Sequence, residues 1–156
     1  MPFVSQLRAT QIVIAPGWQG FGATVDGLIA RLAETGLLTS QTGSDAGRAV
    51  RAREAEASTA ILEIGVGVPH ARISGLDAPV VALALAPEGL YEAAPTVPIR
   101  IVALVLSPTA AIEDHLRMLA DIATMLRSSE LRTLLLRARD EATALEALRH
   151  FTRGMP

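Results

Sequence analysis

The stretch 79–106, PVVALALAPEGLYEAAPTVPIRIVALVL, decides the fold. Its two ends, 79–86 and 99–106, are aliphatic at nearly every position, and each is bounded by proline. A run that is apolar at consecutive rather than alternate positions belongs to a strand covered on both faces. The intervening 87–98, rich in proline and glycine, reads as a loop. Upstream, 60–64 and 66–68 are shorter runs of strand character that stop at Pro69-His70. Residues 10–15 (TQIVIA) predict a strand closed by Pro16-Gly17, with a glycine-rich loop over 17–22.

Around these runs the period changes to that of a helix. Val25, Leu28, Ile29 and Leu32 predict a helix over 24–35, with Gly36 at its C-cap. A small, arginine-rich helix follows from an N-cap at Ser44 to about Ala57. Downstream, Ile112, Leu116, Leu119, Ala123 and Leu126 mark one face of a helix over 109–127. Two more helices follow, one from Ser128 or Ser129 to Arg137 and one from an N-cap at Asp140 to near Phe151. Strands in the middle with helices before and after predict an α/β sandwich around a small sheet.

Composition narrows the function. The chain has 156 residues, room for a single domain over 1–156. Half of it is hydrophobic and only 3% aromatic, so the core is aliphatic. There is no cysteine, which excludes disulfides, thiolate nucleophiles and Cys-based metal sites. All 14 basic residues are arginine, which excludes a P-loop lysine and a Schiff base. A formal charge of −2 offers no global field for nucleic acid. Every long apolar run is broken by Pro, Arg or Glu, so direct membrane insertion is not expected. The N-terminus lacks the pattern of a signal peptide, and a cytoplasmic protein is expected. No linker precedes the end at Pro156, which reads as a stand-alone domain.

Three histidines carry what chemistry there is: His70, His115 and His150. His150 lies near the C-terminus and is given no role. His115, one turn into its helix, shares a stripe with Leu119, Ile122 and Leu126 and points at the sheet or the edge of the core. Its plain reading is a buried histidine with satisfied nitrogens. His70 follows Gly65-Val66-Gly67-Val68-Pro69 and stands at a strand terminus, where functional side chains gather. Its plain reading is a turn histidine. Gly65 and Gly67 either open backbone N–H groups to an anion or mark a bulge. Two histidines without a third ligand make a poor metal site.

The stretch Arg53-Glu54-Ala55-Glu56-Ala57-Ser58-Thr59, continued by Gly65-Val66-Gly67-Val68-Pro69-His70, resembles a known family. It is similar to the enzyme IIA domain of the bacterial phosphotransferase system, of the fructose/mannitol and nitrogen-regulatory type. That family reads R-E-x-x-x-S-T and then G-[VI]-A-[VIL]-P-H. A second block, Pro108 … His115-Leu116-Arg117-Met118-Leu119-Ala120, resembles its P…H-L-x-x-L-A. Two departures stand out: Gly67 replaces the family's alanine, and Leu62-Glu63-Ile64 occupies a segment one residue longer than usual.

The resemblance implies a small mixed β-sheet flanked by helices on both sides. It implies a phosphoryl relay in which His70 accepts from a histidine-containing phosphocarrier protein. His70 then passes the group to an enzyme IIB, or its state regulates a target protein. A neutral imidazole is nucleophilic near neutral pH, and the loose transition state needs positioning and charge stabilisation more than bond-making. His115, Arg53, Ser58, Thr59 and the backbone around Gly67 are the expected phosphoryl-stabilising groups. Helix 109–127 is expected to bring His115 within reach of His70, with Arg53 facing the His70 side. No metal, nucleotide or other cofactor is required. The alternative, motivated by Leu62–Ile64, is a non-catalytic regulatory module that keeps the fold. A metal-bound two-histidine hydrolase has too few ligands.

Overall fold

The two aliphatic runs lie side by side. The computed structural model describes residues 2–154. It opens with a short helix α1 (Pro2–Ser5), strand β1 (Ile12–Ile14) and two helices, α2 (Phe21–Glu34) and α3 (Ser40–Glu56). The middle holds β2 (Ala60–Ile61), β3 (Val66–Gly67), β4 (His70–Ile73), β5 (Val80–Leu85), β6 (Tyr91–Ala93), β7 (Val97–Ile99) and β8 (Ile101–Pro108). The chain ends in α4 (Ile112–Leu126), α5 (Ser129–Arg137) and α6 (Glu141–Arg153).

The main sheet runs β1-β5-β8-β3-β2, with β4 continuing the β3 side of β8. It is mixed: β5 is antiparallel to β8, whereas β1 is parallel to β5, and β3 and β4 are parallel to β8. A core on each face of the alternating strand explains why β8 is apolar from Ile101 to Leu106. Ala103 and Val105 face a core filled by Met118, Ile122 and Met125 of α4 and by α5 and α6. Val102, Leu104 and Leu106 face the opposite core, with Val25, Leu28 and Leu32 of α2 and Val50 of α3. Helices on both sides of a mixed sheet are thus the observed architecture. Among the described residues, no helix is long and apolar enough to cross a membrane.

Several local expectations are corrected. Thr10 and Gln11 belong to a single 3-10 turn, not to β1. The buried Gln11 amide bridges Gln6 O and Val81 O, which holds the chain out of the ladder. α2 starts at Phe21, ahead of the predicted 24. α3 starts at Ser40, ahead of the predicted Ser44, because Thr39 accepts the Thr42 N–H and caps it. Within 60–64 only Ala60–Ile61 is extended. Leu62–Ile64 closes a 3-10 turn on Gly65, whose φ of 65° is one that a side chain disfavours. The loop 87–98 contains a hairpin, in which Tyr91 pairs with Ile99 and Ala93 with Val97. His70 begins a strand instead of following one. β3 ends at Gly67, and Pro69 offers its carbonyl to the Val105 N–H at 3.1 Å, so the chain rejoins β8 at His70.

The stripe chosen for α4 is rotated. Ile112 and Leu116 are 51% and 60% exposed, and the buried residues are His115, Met118, Asp121, Ile122, Met125 and Leu126. The sheet takes the methionine side of the helix. It leaves Ile112 and Leu116 uncovered beside His115.

Candidate functional site

β4 and the last residues of β8 run parallel, His70 opposite Val105 and Arg72 opposite Ser107. On β4, His70 and Arg72 point to one side while Ala71 and Ile73 are buried on the other. α4 crosses that side and delivers His115 to the end of β8. The His70 and His115 rings face each other with centroids 5.3 Å apart at a tilt of 59°. They line an open cleft of about 700 Å³ together with Arg53, Arg72, Leu116 and Leu119.

Each ring is held through one nitrogen. His70 Nδ1 lies 2.7 Å from Val68 O. A carbonyl only accepts, so Nδ1 carries the proton and donates. The lone pair is left on Nε2. His115 Nδ1 lies 2.7 Å from Ser107 Oγ, a fully buried hydroxyl. With Nδ1 engaged below, only Nε2 of His115 remains for the cleft. Burial lowers the pKa of His70 below the usual 6.5 and Arg53 adds to this, against the opposing pull of the Val68 bond and Glu54. His115 is pushed down to about 4 by burial, by His70 and by Arg72. Both rings are therefore neutral at neutral pH.

The structure brings some expected residues together and not others. Arg53, in the last turn of α3, lines the cleft and donates to Ala57 O at 3.1 Å. Ser58 lies outside it, its oxygen accepting the Ala60 N–H. Thr59 is taken up by Glu54, whose carboxylate receives the Thr59 N–H at 2.9 Å and its hydroxyl at 2.6 Å. Gly67 sits inside the sheet between Ala60 and Val102 and does not reach the cleft. These three shape the approach to His70. Thr59 O accepts the Val68 N–H at 3.3 Å, and Val68 is the residue whose carbonyl fixes the His70 ring.

Sequence reading missed Ser107, Glu54 and Arg72. Ser107 had a signal, since a hydroxyl at the end of an otherwise aliphatic strand needs a partner. Arg72 had one too, two residues from His70 and so on its face of the strand. Its guanidinium donates to Thr109 O at 2.9 Å and is tied to the loop before α4. Glu54 stands in the R-E-x-x-x-S-T block itself, but nothing in its spacing shows which side chain it clamps. Among the described residues, no three His, Asp or Glu side chains converge as a metal ion requires.

Fold and cleft define a class: a small α/β protein with two neutral imidazoles facing each other at one end of a mixed sheet. Residues 7–151 match the family described as "Phosphoenolpyruvate-dependent sugar phosphotransferase system, EIIA 2". The chain belongs to that family, whose members relay phosphoryl groups. It is 34% identical over 97 residues to the fructose-specific EIIA component of Haloferax volcanii, an alignment covering 62% of each chain. The chain thus spans about three-fifths of that relative's length. The fold is that of the nitrogen regulatory protein IIA-Ntr from Neisseria meningitidis, with TM-score 0.81, 22% identity and coverage of 95% of this chain and 99% of that one. It also matches the enzyme IIA of mannitol from Escherichia coli, solved in complex with its phosphorylated enzyme IIB. There the TM-score is 0.72 and the identity 17%, over 92% of this chain and 97% of that one.

Proposed function

We propose that this chain is a phosphohistidine carrier in which His70 Nε2 is the atom that bears the phosphoryl group. One observation carries the reading. The Val68 carbonyl holds Nδ1, so the free lone pair of a neutral imidazole is directed into a cleft faced by a second imidazole. The donor is a histidine-containing phosphocarrier protein. The Nε2 lone pair forms the new N–P bond while the N–P bond to the donor's ring breaks, its electron pair returning to that ring. In the onward step a cysteine thiolate of an enzyme IIB attacks phosphorus, and His70 recovers its lone pair. Where the chain regulates instead, the phosphorylated cleft is read by a target protein.

The remaining groups divide the stabilisation of the three equatorial oxygens. The Ser107 hydroxyl 2.7 Å from His115 Nδ1 can donate to it, and in that tautomer His115 carries its proton on Nε2 and offers a hydrogen bond to the phosphoryl oxygens from there. Arg53 and Arg72 bring the two guanidinium charges to the cleft. A carrier must hand phosphate on and not lose it to water. The uncovered Ile112 and Leu116 beside His115 suit a docking partner that closes the cleft. Leu62–Ile64, which motivated the non-catalytic alternative, lines a different groove with Arg100 and Arg132 and lies outside the cleft lining. The setting of such a relay is the cytoplasm.

The test is intact mass after incubation with phosphoenolpyruvate and the upstream phosphocarriers. A gain of one phosphoryl group, labile in acid and stable in base, supports the carrier. An unchanged mass with active carriers present supports the non-catalytic module.

A further inference from the structure

Tyr91 is used by none of the chemistry above, yet its hydroxyl is buried and, among the described residues, has no hydrogen-bond partner. An unpaired buried hydroxyl is costly, and phenylalanine would avoid the cost. The ring is locked from behind by an edge-to-face contact with Phe21, with centroids 5.3 Å apart. In front, the hydroxyl fills the space beside Gly67 that a Cβ would take. A Cβ built on Gly67 would lie 2.0 Å from Tyr91 Oη and 3.1 Å from Cζ. The oxygen occupies the space of the methyl group that alanine, the residue of the resembled family, would put there. Gly67 is bonded directly to Val68, whose N–H is held by Thr59 and whose carbonyl holds His70 Nδ1. Glu54, which anchors Thr59, lies near enough for its charge to add to the effect of burial in raising the Tyr91 pKa.

We propose that Tyr91 is a positioning residue for His70: its hydroxyl is the stop against which Gly67 rests, and this stop sets where the Val68 carbonyl meets the His70 ring. The hairpin β6–β7, through Tyr91, thereby fixes which ring nitrogen is free. The pair is complementary in size, so it must change as a pair. Gly67→Ala drives the new methyl into the hydroxyl, displaces the 67–68 peptide and loosens the Val68–His70 bond. Tyr91→Phe in the same chain removes the 2.0 Å contact and leaves only the ring Cζ at 3.1 Å and Ile99 Cγ2 at 3.3 Å, both side-chain atoms that can give way, so Val68 returns. The inference rests on the phosphohistidine reading for its purpose, but not for its measurement.

The measurement is the side-chain ¹⁵N spectrum of His70 in the unphosphorylated protein, which reports the tautomer without any phosphoryl donor. Wild type gives a single species protonated at Nδ1. Gly67→Ala gives a mixture of tautomers, and Gly67→Ala/Tyr91→Phe restores the single species. Phosphoryl acceptance follows, falling about tenfold in the single variant and returning to within about threefold of wild type in the double, as coupled neighbours do. If Gly67→Ala does not fold, the double variant decides alone, because it folds with the wild-type spectrum if the two side chains share one space. A wild-type His70 spectrum in folded Gly67→Ala overturns the proposal. So does a double variant that is unfolded or that retains the mixed spectrum. A chain that accepts no phosphoryl group but shows these spectra refutes the carrier and leaves the stop intact.

Discussion

The β5–β8 pair and the segment from Ala57 to His70 are neighbours in one sheet, and they are held by opposite means. β5 and β8 exchange a continuous antiparallel ladder from Val80–Leu106 to Leu85–Ile101, and the core side chains on both faces are closed to water. The segment before His70 has two strands of two residues each, a 3-10 turn and a few single bonds: the Glu54 side chain on Thr59, the Ser58 side chain on Ala60, the Val68 N–H on the Thr59 carbonyl and the Val68 carbonyl on the His70 ring. The first region derives its stability from area buried, at about 25 cal/mol per Å². The second derives its shape from a few directed bonds. Damage to the ladder region should therefore cost stability and spare the chemistry of the folded fraction. Damage near the clamps should do the reverse.

The sharpest way to break this division is His70→Ala. The variant should lose phosphoryl acceptance altogether and keep its melting temperature, because a half-buried side chain at a strand start contributes little to either core. Any residual His-type label would move the acceptor elsewhere. Leu104→Ala attacks the other region. Leu104 is fully buried, and its truncation should cost about 2–5 kcal/mol in urea denaturation while the folded protein accepts phosphate at the wild-type rate. A rate that falls in proportion to stability would erase the distinction.

His115 straddles the two regions, with Ser107 of β8 below it and the cleft above. His115→Ala should still accept phosphate, but slower by about 10²–10³, the usual worth of one transition-state hydrogen-bond donor. Arg53→Ala should slow transfer about tenfold, the worth of one charge-assisted hydrogen bond, without unfolding the domain. Unchanged transfer would reduce Arg53 to its cap on Ala57 O.

The smallest effect is the pH dependence of stability. His115 has a folded pKa of about 4 against 6.5 for the free group, so the unfolded chain takes up a proton first as pH falls. Stability is full above the unfolded value and declines between 6.5 and about 4. Part of that loss should vanish in His115→Gln, compared by urea denaturation at about pH 7 and about pH 4.5. An equal decline in both proteins would assign the acid sensitivity to other groups.

The same contrast explains what the sequence disclosed. β5 and β8 were legible because burial on two faces leaves an aliphatic run, and α5 and α6 because Ser128 and Asp140 cap them. The hairpin at Tyr91–Ile99 was hidden by its prolines and by a glutamate among short side chains. The α4 face was misread because Ile112 and Leu116 are as apolar as the true core residues. Only the site distinguishes them, since apolar surface beside a histidine cleft has a use in water. His70, His115 and Arg53 converge on one cleft, and motif spacing pointed to all three. The R-E-x-x-x-S-T block held both Glu54 and Thr59 without revealing that one clamps the other, and no local pattern places the Tyr91 side chain beside Gly67.

The central claim is that the Val68 carbonyl leaves His70 Nε2 as the phosphoryl acceptor. The most direct measurement is ¹⁵N and ³¹P NMR of the protein phosphorylated from phosphoenolpyruvate through its carriers. The account predicts a single N–P bond at His70 Nε2, with the Nδ1 proton still present. A phosphoryl group on His70 Nδ1, or on His115, Ser58 or Thr59, would contradict it.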